Sequence, residues 1–193
     1  SSDVCSSDLW NTWGTNVVFD PLTGAVTAPD GRPIELPEYV ITPSSAHFVG
    51  EVVADRGAFI LQKPTKPYRL AFSTTGIYAD GWAGPDATID VYDAFAPGVV
   101  RVTADRGMNP PAAPLSQVLA TSGSLARTSD GNLGLSEQTA SVSGVVANGA
   151  PFVTSLKTPK SPYRITLTFN PTFAPSDFGA PDTRQIGAIV TLA

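Results

Sequence analysis

Several residue types that often carry function are scarce in this chain of 193 residues. It contains one His, one Met and one Cys, and charged residues make up only 15% of it. The net charge is −5 and no cluster of Lys or Arg is present, so the chain lacks the basic surface that binding to phosphate backbones requires. Zinc is disfavoured because one His and one Cys cannot supply its usual set of ligands. No apolar run approaches the roughly 18 to 20 residues of a membrane helix.

The single cysteine lies in a segment that does not resemble natural sequence. Residues Ser1–Leu9 are what a common sequencing-adaptor read encodes when it is translated. We therefore predict that Ser1–Leu9 is an artefactual leader and that natural sequence starts near Trp10. Because no initiator Met opens the chain, we expect it to be truncated on its N-terminal side. The rest of the chain contains no cysteine, which favours an exported location because free thiols are a liability there.

Alternation of apolar and polar residues with a period of two runs through the chain and predicts β-strands. It is clearest over Tyr163–Asn170, where every second residue is apolar, and it recurs in a closing strand over Gln185–Leu192. Further strands are predicted at Tyr39–Thr42, Val49–Ala54, Ala58–Gln62, Tyr68–Ser73, Ala87–Asp93, Val99–Thr103, Gln117–Ala120, Ala140–Val146 and Phe152–Leu156.

Turn-forming pairs such as Asp30-Gly31 and Asn148-Gly149 separate these segments. Short strands at such spacing predict an all-β fold, an antiparallel β-sandwich of jelly-roll-like type. We assign residues 76–193 to the sandwich and residues 10–75 to a small N-terminal β appendage that packs on it.

Helix signals are nearly absent, because proline and β-branched residues interrupt each window that could form a long helix. One short helical turn is predicted at Pro175–Phe178. Asn109–Pro114, with three prolines, is predicted to be an extended loop, and Ser122–Ser136 a longer polar loop.

Two short sequences recur. Ala54-Asp55-Arg56-Gly57 returns 50 residues later at Ala104–Gly107, and Pro67-Tyr68-Arg69 returns 95 residues later at Pro162–Arg164. A repeat architecture requires a single period. The unequal offsets favour recurrent turn and strand-entry chemistry over a duplication.

The residues that could catalyse a reaction form no recognisable motif, and we predict no catalytic residue. His47, the only His, is expected at a loop or strand edge rather than in a Ser-His-Asp arrangement. The carboxylates from Asp80 to Asp93 leave a calcium site open, but Asp90 alternates with Ile89 and Val91 and is expected to face water. We predict no metal and no cofactor. A pair of glycosidase carboxylates cannot be recognised without their separation.

Tyr78, Asp80 and Trp82 surround a glycine-rich turn and have two interpretations. Sugar-binding sandwiches use exposed aromatic faces as platforms, which makes these residues candidate ligand-binding residues. Alternatively, Trp82 caps one end of the core, with its indole N–H bonded to the backbone. Near the C-terminus, Arg184 could pair with Asp177 or Asp182 and hold the last loop in place, a structural role.

The C-terminal part resembles a known family. Ser161-Pro162-Tyr163-Arg164-Ile165, the segment from Pro171 to Gly179, and Asp182-Thr183-Arg184-Gln185-Ile186-Gly187 resemble the terminal β-sandwich of bacterial cell-envelope glycosyltransferases. That family ends with a Pro-Ser-x-x-Gly, Asp-x-Arg-x-Leu-Gly pattern, in which Ile186 stands for the usual Leu. Thr75–Trp82 and Phe19–Gly24 are similar to the exported tail of mannosyltransferase-like multi-pass membrane proteins.

The resemblance implies an extracytoplasmic, non-catalytic accessory tail, anchored through a missing N-terminal membrane region. Its partners would be that membrane part and a glycan, and the family's catalytic acidic residues would lie in the missing portion. A freestanding secreted or cell-surface module for carbohydrate binding or adhesion is the alternative. A hydrolase is a third possibility.

Overall fold

A computed structural model describes the backbone of residues 11–12 and 15–16, and residues 18–94, 96–107 and 113–193 in full. The predicted leader Ser1–Leu9 lies outside these residues, as do residues 109–112 of the predicted proline-rich loop. The described chain consists of antiparallel strands and one short 3-10 helix, which confirms the prediction of an all-β, sandwich-like fold. It divides into two compact units, residues 1–73 and residues 74–193.

Unit 1 is built from short strands. They are β1 (Asn11–Thr12), β2 (Thr15–Asn16), β3 (Val18–Phe19), β4 (Val26–Thr27), β5 (Val40–Pro43), β6 (Ala46–Phe48), β7 (Gly50–Asp55), β8 (Phe59–Pro64) and the first half of β9 (Leu70–Ile77). β1 pairs with β2 and β3 with β4, β5-β8-β7 form a three-stranded sheet, and β6 pairs with β9.

The core of unit 1 combines an aromatic cluster with a buried polar network. Phe48 lies between Phe19 and Tyr68, with ring centroids 5.3 and 5.5 Å away. Gln62 is fully buried; its Oε1 accepts a bond from the backbone N–H of Phe48 at 2.8 Å, and its Nε2 donates to Thr42 Oγ1 at 2.6 Å. Buried polar atoms must be bonded in this way, since each one left unpaired costs about 1–3 kcal/mol.

Unit 2 contains the longer strands. They are the second half of β9, β10 (Ala83–Val91), β11 (Gly98–Asp105), β12 (Ser116–Arg127), β13 (Leu133–Val146), β14 (Phe152–Thr158), β15 (Tyr163–Asn170) and β16 (Ile189–Leu192), with the 3-10 helix at Pro175–Phe178. One sheet has the order β13-β12-β15-β10-β9 and the other the order β14-β11-β16. The apolar core lies between the two sheets.

β15 forms over the residues predicted for it, Tyr163–Asn170. Its apolar side chains are all buried, and Ile165 and Leu167 are fully enclosed. Each such side chain contributes about 1.5–3 kcal/mol by leaving water. The closing strand is shorter than predicted: β16 begins at Ile189, and Ile186 makes an isolated bridge to Phe173.

The predicted polar loop Ser122–Ser136 is wrong, because these residues form most of a hairpin. β12 continues to Arg127, β13 begins at Leu133, and Thr128 donates its N–H to the carbonyl of Asn132 across the turn. Ser and Thr are polar but are well accommodated on a pleated surface, so polarity alone did not indicate a loop here.

The expectation that Asp90 faces water is also wrong. Asp90 is only 8% exposed and is the cross-strand partner of Arg164. Its two carboxylate oxygens accept bonds from Arg164 Nε at 2.6 Å and Nη2 at 2.8 Å. A polar residue on the outer face of a sheet can therefore be covered by a long cross-strand partner.

Candidate functional site

The turn between β9 and β10 carries the aromatic and acidic residues singled out in the sequence. The N–H of Tyr78 donates to the carbonyl of Trp82 at 2.8 Å, and the N–H of Gly81 donates to the carbonyl of Tyr78 at 2.9 Å. Gly81 has a φ of +84°, a conformation that favours glycine. This tight turn brings Asp80 and Tyr78 to the surface.

Arg184 joins this turn to the C-terminal loop. It donates to Asp80 through Nη1 at 3.2 Å and Nη2 at 2.6 Å, and to Asp182 through Nη2 at 2.7 Å and through Nε at 3.0 Å. Asp182 also accepts the backbone N–H of Arg184 at 2.9 Å. One guanidinium therefore holds two carboxylates from distant parts of the sequence.

The same guanidinium lies over an aromatic ring. The Cζ atom of Arg184 is 4.5 Å from the ring centroid of Tyr78, within the distance of a cation–π contact. Tyr78 remains 37% exposed. Tyr78, Asp80, Asp182 and Arg184 thus form a surface cluster, which we call the Arg184 cluster.

Trp82 is only partly exposed and packs against other aromatics. Its ring meets that of Phe173 edge to face, with centroids 6.1 Å apart and planes at 87°. Phe178, from the 3-10 helix, meets Phe173 in the same manner at 6.1 Å. Trp82 is therefore packed against the buried ring of Phe173.

Arg184 controls the ionisation of both carboxylates of the cluster. Hydrogen bonds from its guanidinium lower the pKa of Asp80, against a smaller opposing effect of burial. The bonds that Arg184 donates to Asp182 likewise lower the pKa of that carboxyl. In return, the two carboxylates raise the pKa of Arg184, so the cluster carries two negative charges and one positive charge near neutral pH.

The sequence predicted part of this arrangement. Asp182 was one of two candidate partners of Arg184; the other, Asp177, lies exposed in the 3-10 helix. The second carboxylate on Arg184 is instead Asp80, 104 positions away, and no local pattern in the sequence indicated that pairing.

A buried arginine was missed altogether. Arg106 donates through Nε to the carbonyl of Gly187 at 2.6 Å, through Nη1 to the carbonyl of Pro114, and through Nη2 to the hydroxyl of Ser116. Its Cζ atom is 4.9 Å from the ring centroid of Phe173. Burial lowers the pKa of Arg106.

His47 lies on β6, partly buried. Its ring stacks on that of Phe72 with centroids 4.4 Å apart, and its Nε2 is 3.1 Å from the carbonyl oxygen of Ser44. Burial lowers the pKa of His47. These contacts place it at a strand edge beside a turn.

Among the described residues, no group of three or more His, Cys, Asp or Glu side chains is placed to hold a metal ion. The described part of the chain also includes no helix long and apolar enough to cross a membrane. Comparison with protein-family models, with curated proteins and with solved structures finds no match for this chain.

Proposed function

We propose that the chain is a non-catalytic, extracytoplasmic β-sandwich that contacts glycan as the accessory tail of a membrane glycosyltransferase in cell-envelope glycan assembly. The observation that carries the glycan contact is the Arg184 cluster, which presents a partly exposed Tyr ring beside carboxylates and a guanidinium. The resemblance of the C-terminal segment to glycosyltransferase tails supports the rest of the proposal.

The charge of the cluster favours uncharged glycans. Two carboxylates against one guanidinium leave a net negative charge, which repels acidic sugars. The carboxylate oxygens can accept bonds from sugar hydroxyls, and the exposed part of the Tyr78 ring provides an apolar contact. Binding at such a small surface is expected to be weak, so a multivalent display is the suitable assay.

A glycan array probed with the full chain tests this site. We expect binding to uncharged envelope-type glycans, with the signal lowered about tenfold or more in Tyr78→Ala and in Asp80→Ala. Tyr39→Ala is a matched control, because Tyr39 is 47% exposed and has Lys63 Nζ 5.5 Å from its ring centroid, but lies in unit 1. Absent binding, or equal loss in all three variants, would contradict the site.

The alternative of a freestanding secreted or cell-surface carbohydrate-binding or adhesion module uses the same surface. The intact gene upstream of Trp10 separates the two. Several apolar runs of about 20 residues would support the membrane glycosyltransferase, whereas a lone cleavable signal peptide would favour the freestanding module.

A further inference from the structure

Each unit contains four strands in the same chain order and with the same pairing. In unit 1 they are β6, β7, β8 and β9; in unit 2 they are β10, β11, β14 and β15. In both sets the first strand pairs with the fourth, and the second pairs with the third, all antiparallel. We call this arrangement the four-strand module.

The second strand of both modules ends in the same turn. Asp55 Oδ1 accepts the backbone N–H of Gly57 at 2.7 Å, and Asp105 Oδ1 accepts that of Gly107 at 2.8 Å. Both glycines have positive φ, +72° and +58°. The recurrent Ala-Asp-Arg-Gly sequence therefore has one conformation at the same position of both modules.

At the other end of the same strands, a glycine begins the second strand of each module and pairs with the last residue of the third. Gly50 pairs with Pro64 in unit 1, and Gly98 pairs with Thr158 in unit 2. Pro64 and Thr158 are each preceded by an exposed lysine, Lys63 and Lys157. The second and third strands are both longer in unit 2 than in unit 1, which is expected if two paired strands lengthened together.

The same Pro-Tyr-Arg sequence leads into the fourth strand of both modules, with its tyrosine two residues before β9 in unit 1 and at the start of β15 in unit 2. Tyr68 and Tyr163 each follow a proline, each precede an arginine, and are buried to 3% and 5% exposure. Tyr68 lies against Phe48 of the first strand. Tyr163 belongs to the core of unit 2 and pairs with Val91 at the end of the first strand there.

The largest difference in length between the two modules lies between their second and third strands. In unit 1 these strands are joined by residues 56–58, whereas in unit 2 residues 108–150 follow Gly107 before the third strand is reached. The two ends of that segment meet, because the N–H of Gly149 donates to the carbonyl of Gly107 at 2.6 Å. The 43 residues of this segment account for all but two residues of the difference between the offsets of 50 and 95.

We infer that the two units are divergent copies of one four-strand module, and that residues 108–150, with β12 and β13, are an insertion in the second copy. The single period expected of a repeat is lost because the insertion lies between the two recurrent sequences. A common origin does not require that the two copies bind the same ligand, because the Arg184 cluster lies outside the turn and the strand entry that the copies have in common.

The insertion explains how the two arginines of the recurrent turn diverged. Arg56 is exposed and donates to the carbonyl of the neighbouring Asp55. Arg106 is buried and donates to Pro114, just before β12, and to Ser116, the first residue of β12. In the second copy this arginine thus anchors the inserted hairpin, which completes the sheet by pairing β12 with β15.

The sequences of related genes test the common origin. One alignment is built from the unit 1 segments of many relatives and another from their unit 2 segments. The two alignments should match each other over the module, with residues 108–150 opposite a gap. We expect that match to exceed the match obtained with shuffled unit 2 sequences. Equal scores for true and shuffled sequences would overturn the duplication.

Excision tests the insertion directly, in the full chain. Removing residues 108–150 joins Gly107 to Pro151, as Gly57 is joined to Ala58. We expect amides of the β10–β15 pair, which both deletions retain, to keep exchange protection about 100-fold above that in a control deletion of equal length, residues 116–158, which removes β14. Equal loss of protection in both deletions would overturn the assignment of an insertion.

Discussion

Arg164 donates two parallel hydrogen bonds, of 2.6 and 2.8 Å, to Asp90 across the β10–β15 pair, on the outer face of the sheet. The pair is mostly shielded from water, with side chains 21% and 11% exposed. Two-point geometry and shielding set it apart from an ordinary surface ion pair, which contributes about 0–1 kcal/mol.

The effects of Asp90 and Arg164 on the stability of unit 2 should depend on each other. We expect Asp90→Asn to lower the free energy of unfolding by about 3 kcal/mol, because the partly buried guanidinium then loses the negative charge that it bonds at two points. The double variant Asp90→Asn with Arg164→Met should lose less than the sum of the single variants, by about 1–3 kcal/mol. Urea unfolding of the four proteins measures this coupling, and strictly additive losses would contradict it.

The two arginines of the recurrent turn provide a matched comparison. Arg106→Met leaves the carbonyls of Gly187 and Pro114 and the hydroxyl of Ser116 without their donor, and we expect a loss of about 3–5 kcal/mol. Arg56→Met changes an exposed side chain in the same turn and should alter stability by less than about 0.5 kcal/mol. Similar urea midpoints for the two variants would refute the anchoring role of Arg106.

These arginines also mark the limit of prediction from sequence. The alternation over Tyr163–Asn170 predicted β15 because each apolar residue there enters the core. Identical Ala-Asp-Arg-Gly sequences, however, expose one arginine and bury the other. Burial depends on what packs over the turn, and that is decided by residues elsewhere in the chain.

The candidate site has the same dependence on distant residues. Asp182 and Arg184 are two positions apart, so their bond was a natural candidate, but Asp80 reaches Arg184 only through the fold. The hairpin β12–β13 was missed for a different reason. Its Ser and Thr residues resemble a loop in composition, and the two irregularities in its register interrupt the alternation.

The single histidine allows a direct check of the burial of β6. Because burial is the main influence and disfavours the charged ring, we expect the pKa of His47 to lie below its ordinary value of about 6.5. The folded state then binds the proton less well than the unfolded state, so stability should fall as the pH drops below about 6.5. An NMR titration of the only imidazole measures this pKa, with the urea-unfolded chain as reference. A folded pKa at or above the reference would contradict the packing of His47 on Phe72.

The Arg184 cluster should stabilise the fold only while its carboxylates are ionised. The pKa values of Asp80 and Asp182 are lowered in the folded chain, so their contribution is complete above the unfolded value of about 4 and is lost as the pH falls through the folded values. Arg184→Gln should therefore lower Tm most near neutral pH, and the difference from the natural chain should shrink below about pH 4. Arg101→Gln, at an exposed arginine on β11, serves as the control and should leave the pH dependence of Tm unchanged. A difference between Arg184→Gln and the natural chain that stayed constant from pH 7 to acid would show that Arg184 acts by packing on Tyr78 rather than by pairing with the two carboxylates.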